Sequence, residues 1–138
     1  MNESTKIDFR YRRIGQLDDI TDLVAIVFPG NKNQQHAAAR ILLALRAAKQ
    51  PIPTLADLEC RFSISRRTLQ RTRAKLARLG LIEHVSWMNS RYGGRQGWKV
   101  SGRMSGALRQ MADKVDGWQK DHRPERREKD ERLAGLLR

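Results

Sequence analysis

The chain has 138 residues, of which 39% are hydrophobic and 31% are charged. This length and composition suit one folded domain with helical extensions and argue against a disordered chain. The formal net charge is +13, and so basic a balance implies an acidic partner, nucleic acid first and an anionic membrane surface second. The single cysteine, Cys60, excludes an intrachain disulfide and fits a reducing compartment.

The positive charge is concentrated in the middle of the chain. Residues 1–32 carry five basic and five acidic side chains, residues 33–101 carry thirteen and three, and residues 102–138 carry ten and seven. No apolar run approaches the roughly 20 residues of a membrane span, and the polar N-terminus does not resemble a signal peptide. We therefore expect a cytoplasmic protein without a membrane partner.

The first half of the chain predicts an arm followed by two amphipathic helices. Residues 1–13 predict a flexible arm with a basic patch. Residues 16–28 predict a helix, because apolar side chains recur there at steps of three and four. Residues 34–49 predict a second helix with Asn33 as its N-cap, and the Pro-Ile-Pro sequence that follows predicts a short extended segment.

Two closely spaced helices are predicted next. Thr54 and Asp57 resemble a capping box, which predicts a short helix over residues 55–62. Ser65 predicts the N-cap of the following helix, and Gly80 predicts its left-handed C-cap.

The most informative stretch of the chain runs from Arg61 to Arg78. It holds seven basic residues and no acidic one. A helix with charges of one sign repels itself, whereas an ordinary solvated helix mixes signs so that pairs four residues apart stabilise it. A solvated basic face remains the alternative interpretation, but the pattern favours a helix that faces a polyanion.

After this helix the periodicity changes to that of strands. Residues 81–88 and 97–101 predict two antiparallel strands, and residues 89–96, with adjacent glycines, predict the tip of the hairpin. Trp87 and Trp98 are expected to form a cross-strand or core pair.

The C-terminal part predicts a helix and a charged tail. Apolar residues step by four, three, four and three over residues 103–122, which predicts a helix with one apolar seam, formed by Met104, Leu108, Met111, Val115 and Trp118. Residues 123–138 predict the tail. We expect the seam over 104–118 and the apolar stripe of 16–28 to pack together and, with a second copy, to form a homodimer. The alternative is that the two helices pack on one another within a monomer.

The order of helix, extended piece, helix, tight turn, helix, strand, glycine-rich tip, strand and helix resembles the winged helix-turn-helix family. Within that family the chain is similar to MarR-like bacterial and archaeal transcriptional regulators. The resemblance rests on residues 54–58, 63–69 and 75–82, and it covers about residues 33–102. It implies a mainly α fold with a small β-hairpin (α+β) and helices flanking the winged domain. It also agrees with dimerisation through the terminal helices, and it implies transcription regulation in the cytoplasm, in association with the nucleoid.

For such a protein the helix over residues 65–79 would enter the major groove of double-stranded DNA, and the wing at 89–96 would lie on the backbone or in the minor groove. Arginine and glutamine suit bidentate contacts with base edges, and hydroxyl groups at a helix start suit a phosphate. We expect the back of the helix to be formed by Leu69, Thr72, Leu76 and Leu79. The expected DNA-contacting residues are Ser65, Arg66, Arg67, Thr68, Gln70, Arg71, Arg73, Lys75, Arg91 and Arg95.

Other functions remain open at the level of the sequence. A replication, partition or mobile-element protein could use the same DNA-binding fold, and a winged-helix module could instead bind protein or RNA. We expect no enzyme, because no phosphate-binding loop, nucleophile elbow or pair of acids appears. The three histidines lie far apart in sequence, so we expect neither a metal nor a cofactor.

Overall fold

The computed structural model describes residues 5–86 and 96–138. It contains two units, one that runs through Met104 and one from Ser105 to Arg138. The first unit is mainly helical with a two-stranded antiparallel sheet, and the second is helical. In chain order, the elements of the described residues are α1 (Tyr11–Gly15), α2 (Ile20–Val27), α3 (Lys32–Ala47), α4 (Asp57–Phe62), α5 (Arg66–Leu79), β1 (Ile82–Val85), β2 (Gly97–Val100), α6 (Arg103–Lys120) and α7 (Pro124–Gly135).

Helix α3 is the centre of the first unit. It packs against α2 on one side and against α5 on another, and β2 also contacts it. The side chains of Val27, Phe28, Ile41 and Leu76 are at most 1% exposed. Removal of this apolar surface from water is the main source of the stability of the unit.

Helix α2 begins later than the sequence predicts, at Ile20 rather than near residue 16. The reason is its cap. The carboxylate of Asp19 accepts hydrogen bonds from the backbone N–H of Thr21 (2.9 Å) and Asp22 (3.2 Å), and the Asp22 carboxylate accepts one from the Asp19 N–H (3.3 Å). This capping box stops the helix from extending toward the N-terminus.

The apolar stripe of residues 16–28, which the sequence predicts as part of a dimer surface, contributes several side chains to the core of the first unit. Val24, Val27 and Phe28 lie in the core of the first unit, next to α3. The arm predicted as flexible over residues 1–13 also contains structure, because α1 begins at Tyr11. The N-terminal region is thus joined to the same core as the segments that follow.

The predicted starts of the next two helices are also wrong by two residues each. Asn31, not Asn33, caps α3, since its Oδ1 accepts a hydrogen bond from the Gln34 N–H at 3.0 Å. Helix α4 begins at Asp57 without a side-chain cap. Thr54 does not form the expected capping box with Asp57 and instead accepts a hydrogen bond from the Ala56 N–H at 3.2 Å.

The ends of α5 agree with the prediction. The Ser65 Oγ accepts a hydrogen bond from the Thr68 N–H at 3.1 Å, which confirms Ser65 as the N-cap. Gly80 has φ +82°, in the left-handed region that a C-cap glycine adopts. A Cβ at Gly80 would also lie 2.9 Å from the Cβ of Arg103 and the N of Met104. The start of α6 therefore approaches the end of α5 closely.

The predicted strands are confirmed but shorter, with Ile82 opposite Val100 and Val85 opposite Gly97. The extended segment after α3 adds to the sheet, since Ile52 and Trp98 exchange backbone hydrogen bonds of 2.9 and 2.8 Å. The residue opposite Trp98 is His84, and the two ring centroids are 5.0 Å apart. Trp87, the partner predicted for Trp98, and residues 89–95 of the predicted tip lie outside the described residues.

In the second unit, the tail predicted over 123–138 forms a helix, α7. The Trp118 Nε1 donates a hydrogen bond of 2.8 Å to Asp130, which also lies 3.3 Å from Arg126. Neither α6 nor α7 has a fully buried residue. The seam side chains in this unit, Leu108, Met111, Val115 and Trp118, are 39–60% exposed.

The close contact of β2 with the segment after α3 yields a prediction for stability. Gly97 has φ +146°, and a Cβ there would overlap the backbone carbonyl of Ile52. We expect Gly97→Ala to lower the free energy of unfolding in urea by about 2–4 kcal/mol, because the strands must separate or the backbone must strain. Gly102→Ala is the control, since a Cβ there meets no heavy atom within 4 Å. Equal stability of the two variants would contradict this account of the sheet.

Candidate nucleic-acid interface

The orientation of α5 is set by its buried side. Leu69, Thr72 and Leu76 are at most 4% exposed, so these three positions fix which way the helix is turned. At 3.6 residues per turn the opposite side must then point away from the core. We call this exposed side the basic face, which consists of Arg66, Arg67, Gln70, Arg71, Ala74 and Arg78.

The arginines of the basic face have no acidic neighbours in the part of the chain that the structure describes. Among the described residues, Arg66, Arg67, Arg71 and Arg78 form no salt bridge, that is, no N–O distance of 4.0 Å or less to a carboxylate. The described carboxylates therefore do not pair with the positive charges of the face, which can attract a polyanion over several ångströms of solvent.

The start of α5 offers a polar cleft beside the basic face. Ser65 and Thr68 line it together with Asn33 and His36 of α3, and its volume is about 200 Å³. The Ser65 Oγ donates a hydrogen bond of 2.8 Å to the Thr68 Oγ1. The first-turn backbone N–H groups and the helix dipole favour an anion here. Ser65 and Thr68 thus lie at the start of the helix that carries the predicted arginines.

Two predicted contact residues, Arg73 and Lys75, lie at the edges of the helix rather than on the basic face. Both are half-buried. The Arg73 guanidinium lies 4.8 Å from the centre of the Trp98 ring. The Lys75 Nζ donates a hydrogen bond of 2.8 Å to the Lys6 carbonyl oxygen and lies 4.5 Å from the centre of the Phe28 ring. Each of these two residues is thus held by contacts within the fold.

The environment of Lys75 disfavours its charged form. Burial lowers the pKa of the Lys75 ammonium below its usual value, and the nearby positive charge of Arg78 lowers it further. A carbonyl oxygen and an aromatic face supply only partial negative charge in return. The positive charge of the Lys75 ammonium is consequently only partly balanced by the groups around it.

Residues 5–10 form a segment that we call the strap, which lies along α2 and α5. The Asp8 N–H donates a hydrogen bond of 2.9 Å to the Ile26 carbonyl, and the Lys6 carbonyl accepts the bond from Lys75. Hydrogen bonds from Arg10 to the Asp8 carboxylate lower the pKa of Asp8 to about 2. Part of the basic patch predicted in the arm is therefore paired within the chain.

The set of residues expected from the sequence differs from the observed surface in two further respects. Arg91 and Arg95, predicted in the wing, lie outside the described residues. Arg78 belongs to the basic face but not to the predicted set. The helical period alone could have identified it, because Arg78 follows Arg67 and Arg71 by eleven and seven residues, close to whole turns of an α-helix.

Comparison of the chain with protein-family models, with curated proteins and with solved structures gave no match. The described residues bring no three side chains of His, Cys, Asp or Glu together as a metal site would require. In the same residues, no helix has the length and apolar character needed to cross a membrane.

The bond between Lys75 and the strap leads to a prediction for dynamics. Lys75→Met keeps an apolar side chain against Phe28 but removes the donor to the Lys6 carbonyl. We expect the Asp8 amide to exchange with solvent roughly fivefold faster, because one hydrogen bond contributes about 1 kcal/mol to local closure. Amide exchange followed by NMR measures this, with Lys49→Met, at an exposed position, as the control. An unchanged Asp8 rate would show that the ammonium does not hold the strap.

Proposed function

We propose that this chain is a sequence-specific double-stranded DNA-binding protein of the winged helix-turn-helix type that acts as a transcriptional regulator. The observation that carries the proposal is the basic face of α5. It combines four arginines and a glutamine on the exposed side of a helix whose other side is buried, and no described carboxylate pairs with those arginines.

The dimensions of α5 suit the major groove. A helix with its side chains is about 10–12 Å across, and the major groove of B-DNA is about 12 Å wide. Ala74 lies near the middle of the basic face and has the smallest side chain there, so the helix backbone can come close to the floor of the groove. Arg67, Gln70 and Arg71 surround it and carry the groups that recognise guanine and adenine edges.

Phosphate contacts would fix the register of the helix on the duplex. Ser65, Thr68 and the first-turn amides of α5 can hold one phosphate at the start of the helix. By resemblance to winged domains, Arg91 and Arg95 would contact the backbone or the minor groove from the wing. A site of this kind reads sequence through the basic face and gains affinity from the phosphates.

The α6 seam supports a proposal of homodimerisation through residues 104–118. Leu108, Met111, Val115 and Trp118 expose a continuous apolar surface, and the neighbouring positions 105, 107 and 112 carry small, uncharged side chains. Residues 105–138 have nine basic and seven acidic side chains, so two copies would repel each other only weakly. A two-fold dimer would match a pseudo-palindromic DNA site with half-sites about one helical turn apart.

Selection of duplexes from a random library, followed by affinity measurements over a range of salt concentrations, tests the DNA-binding proposal. We expect a preferred site and a steep loss of affinity with salt, because phosphate contacts release counterions. Arg71→Ala should weaken binding to that site by roughly 1–3 kcal/mol and relax the preference at one base pair. Lys49→Ala is the matched control, distant in sequence from the basic face. If a random duplex binds as well as any selected one at physiological salt, an architectural function replaces regulation.

Sedimentation tests the dimer. Val115→Lys would place a charge in the middle of the seam, and we expect self-association to weaken by at least about tenfold, since an unpaired charge in an apolar interface is costly. Gln110→Lys adds the same charge on another side of α6 and should leave the association unchanged. A monomeric wild-type protein, or equal effects of the two variants, would refute dimerisation through this seam.

A further inference from the structure

We infer that a cleft between the strap and α5 binds a backbone phosphate of the same DNA duplex that α5 reads. This inference rests on the proposed function and adds a contact outside the wing, at the edge of the basic face, with which the cleft shares Arg78. The cleft has a volume of about 280 Å³. The side chains that matter for the argument are Lys6, Phe28, Asn31, Gln34, Lys75 and Arg78, and we call this site the strap cleft.

The chemistry of the strap cleft suits a phosphodiester. Three of its side chains are cations and two are amides, and no carboxylate lines it. Lys6 and Arg78 are exposed, and neither takes part in a salt bridge of the described residues. The Oδ1 of Asn31 is occupied by capping α3, which leaves its amide NH₂ as a donor.

Lys75 supplies an independent reason to expect an anion. Its ammonium is half-buried against Phe28 and the Lys6 carbonyl, with Arg78 one helical turn away. Packing alone would be served as well by an uncharged side chain of similar length, without the cost of removing a charge from water. A phosphate oxygen in the strap cleft would provide the countercharge for both Lys75 and Arg78, and would reverse the decrease in the pKa of Lys75.

The position of the strap cleft fits the path of a DNA strand. Arg73 and Lys75 lie at opposite edges of the basic face, about 200° apart around α5 when measured across that face at 3.6 residues per turn. When that face enters the major groove, the two edges come near the two sugar-phosphate strands that border the groove. Arg73 lies on the side of β2 and Lys75 on the side of the strap. The strap cleft is therefore placed beside one of the strands.

Neutral substitution of single phosphates tests this inference. One duplex, the preferred site from the selection experiment, is prepared with one methylphosphonate at a time. Each form is titrated with the wild-type protein and with Lys6→Gln, Arg78→Gln and Lys49→Gln. Both Lys6 and Arg78 are exposed, so these changes should not affect folding. Lys49→Gln is the control, because it removes one positive charge just after the C-terminal end of α3, whereas the strap cleft lies at the start of that helix.

We expect Lys6→Gln and Arg78→Gln each to weaken binding about three- to tenfold and to reduce the slope of log affinity against log salt by about one. At one or two phosphates, the methylphosphonate should weaken the wild-type complex but have no further effect on Arg78→Gln. Lys49→Gln should match the wild type in both respects. Together these results would place a backbone phosphate in the strap cleft.

Three results would overturn the inference while leaving the proposed function intact. The first is that Arg71→Ala weakens binding but Lys6→Gln and Arg78→Gln do not. The second is that every methylphosphonate acts equally on the wild type and on Arg78→Gln. The third is that inorganic phosphate at constant ionic strength binds the wild type but not Arg78→Gln and leaves the DNA affinity of the wild type unchanged, in which case the strap cleft is a site for free phosphate instead. If no duplex binds the wild-type protein, the proposed function and this inference fail together.

Discussion

The packing of α5 on α3 is the interaction on which the rest of this structure depends. Leu69, Thr72 and Leu76 are buried, and their burial turns every remaining position of the helix to a defined direction. A 14-residue helix with so many like charges would be marginal alone in water. The core provides the stability that the charges oppose, and the arginines of the basic face remain exposed as a result. The proposed DNA contact is thus a consequence of how the apolar side is buried.

The basic residues of α5 fall into two groups once the fold is formed. Arg66, Arg67, Arg71 and Arg78 face solvent, whereas Arg73 and Lys75 are held by aromatic rings and by the strap. Within the free group, Arg67 and Arg71 suit base edges, because their side chains can reach and adapt, whereas Arg78 borders the strap cleft. The held group is better suited to fixed contacts at the edges of a groove, where phosphates lie. The strap, which extends the cationic surface through Lys6, would add to this second kind of contact.

The second unit, in contrast to the first, has no buried core to stabilise its helices. Neither of its helices buries a residue fully, and its apolar seam stays exposed. A pair of helices without a core has little to offset the loss of chain entropy on folding. A second copy of the seam would supply that missing burial, and under the proposed function it would also set the spacing of two α5 helices on DNA. In this proposal, charge drives the binding of DNA by α5, and apolar surface drives dimerisation through the α6 seam.

Much of this architecture follows from the sequence alone, because the signals involved act over a few residues. Ser65, Gly80, the strand periodicity and the buried side of α5 all depend on such local patterns, and the structure confirms them. Local signals did not decide between Asn31 and Asn33, or between residue 16 and Ile20, as helix starts. Competing caps lie within two to four residues of each other there, and the hydrogen bonds accepted by the Asp19 and Asn31 side chains show which caps the fold uses. Only the tertiary structure decided three other features: the burial of the α2 stripe next to α3, the hydrogen bond from Lys75 to the Lys6 carbonyl, and the contact of Arg73 with Trp98. Each of these joins residues far apart in the chain, and no pattern along the sequence specifies which distant side chain will lie next to which cation.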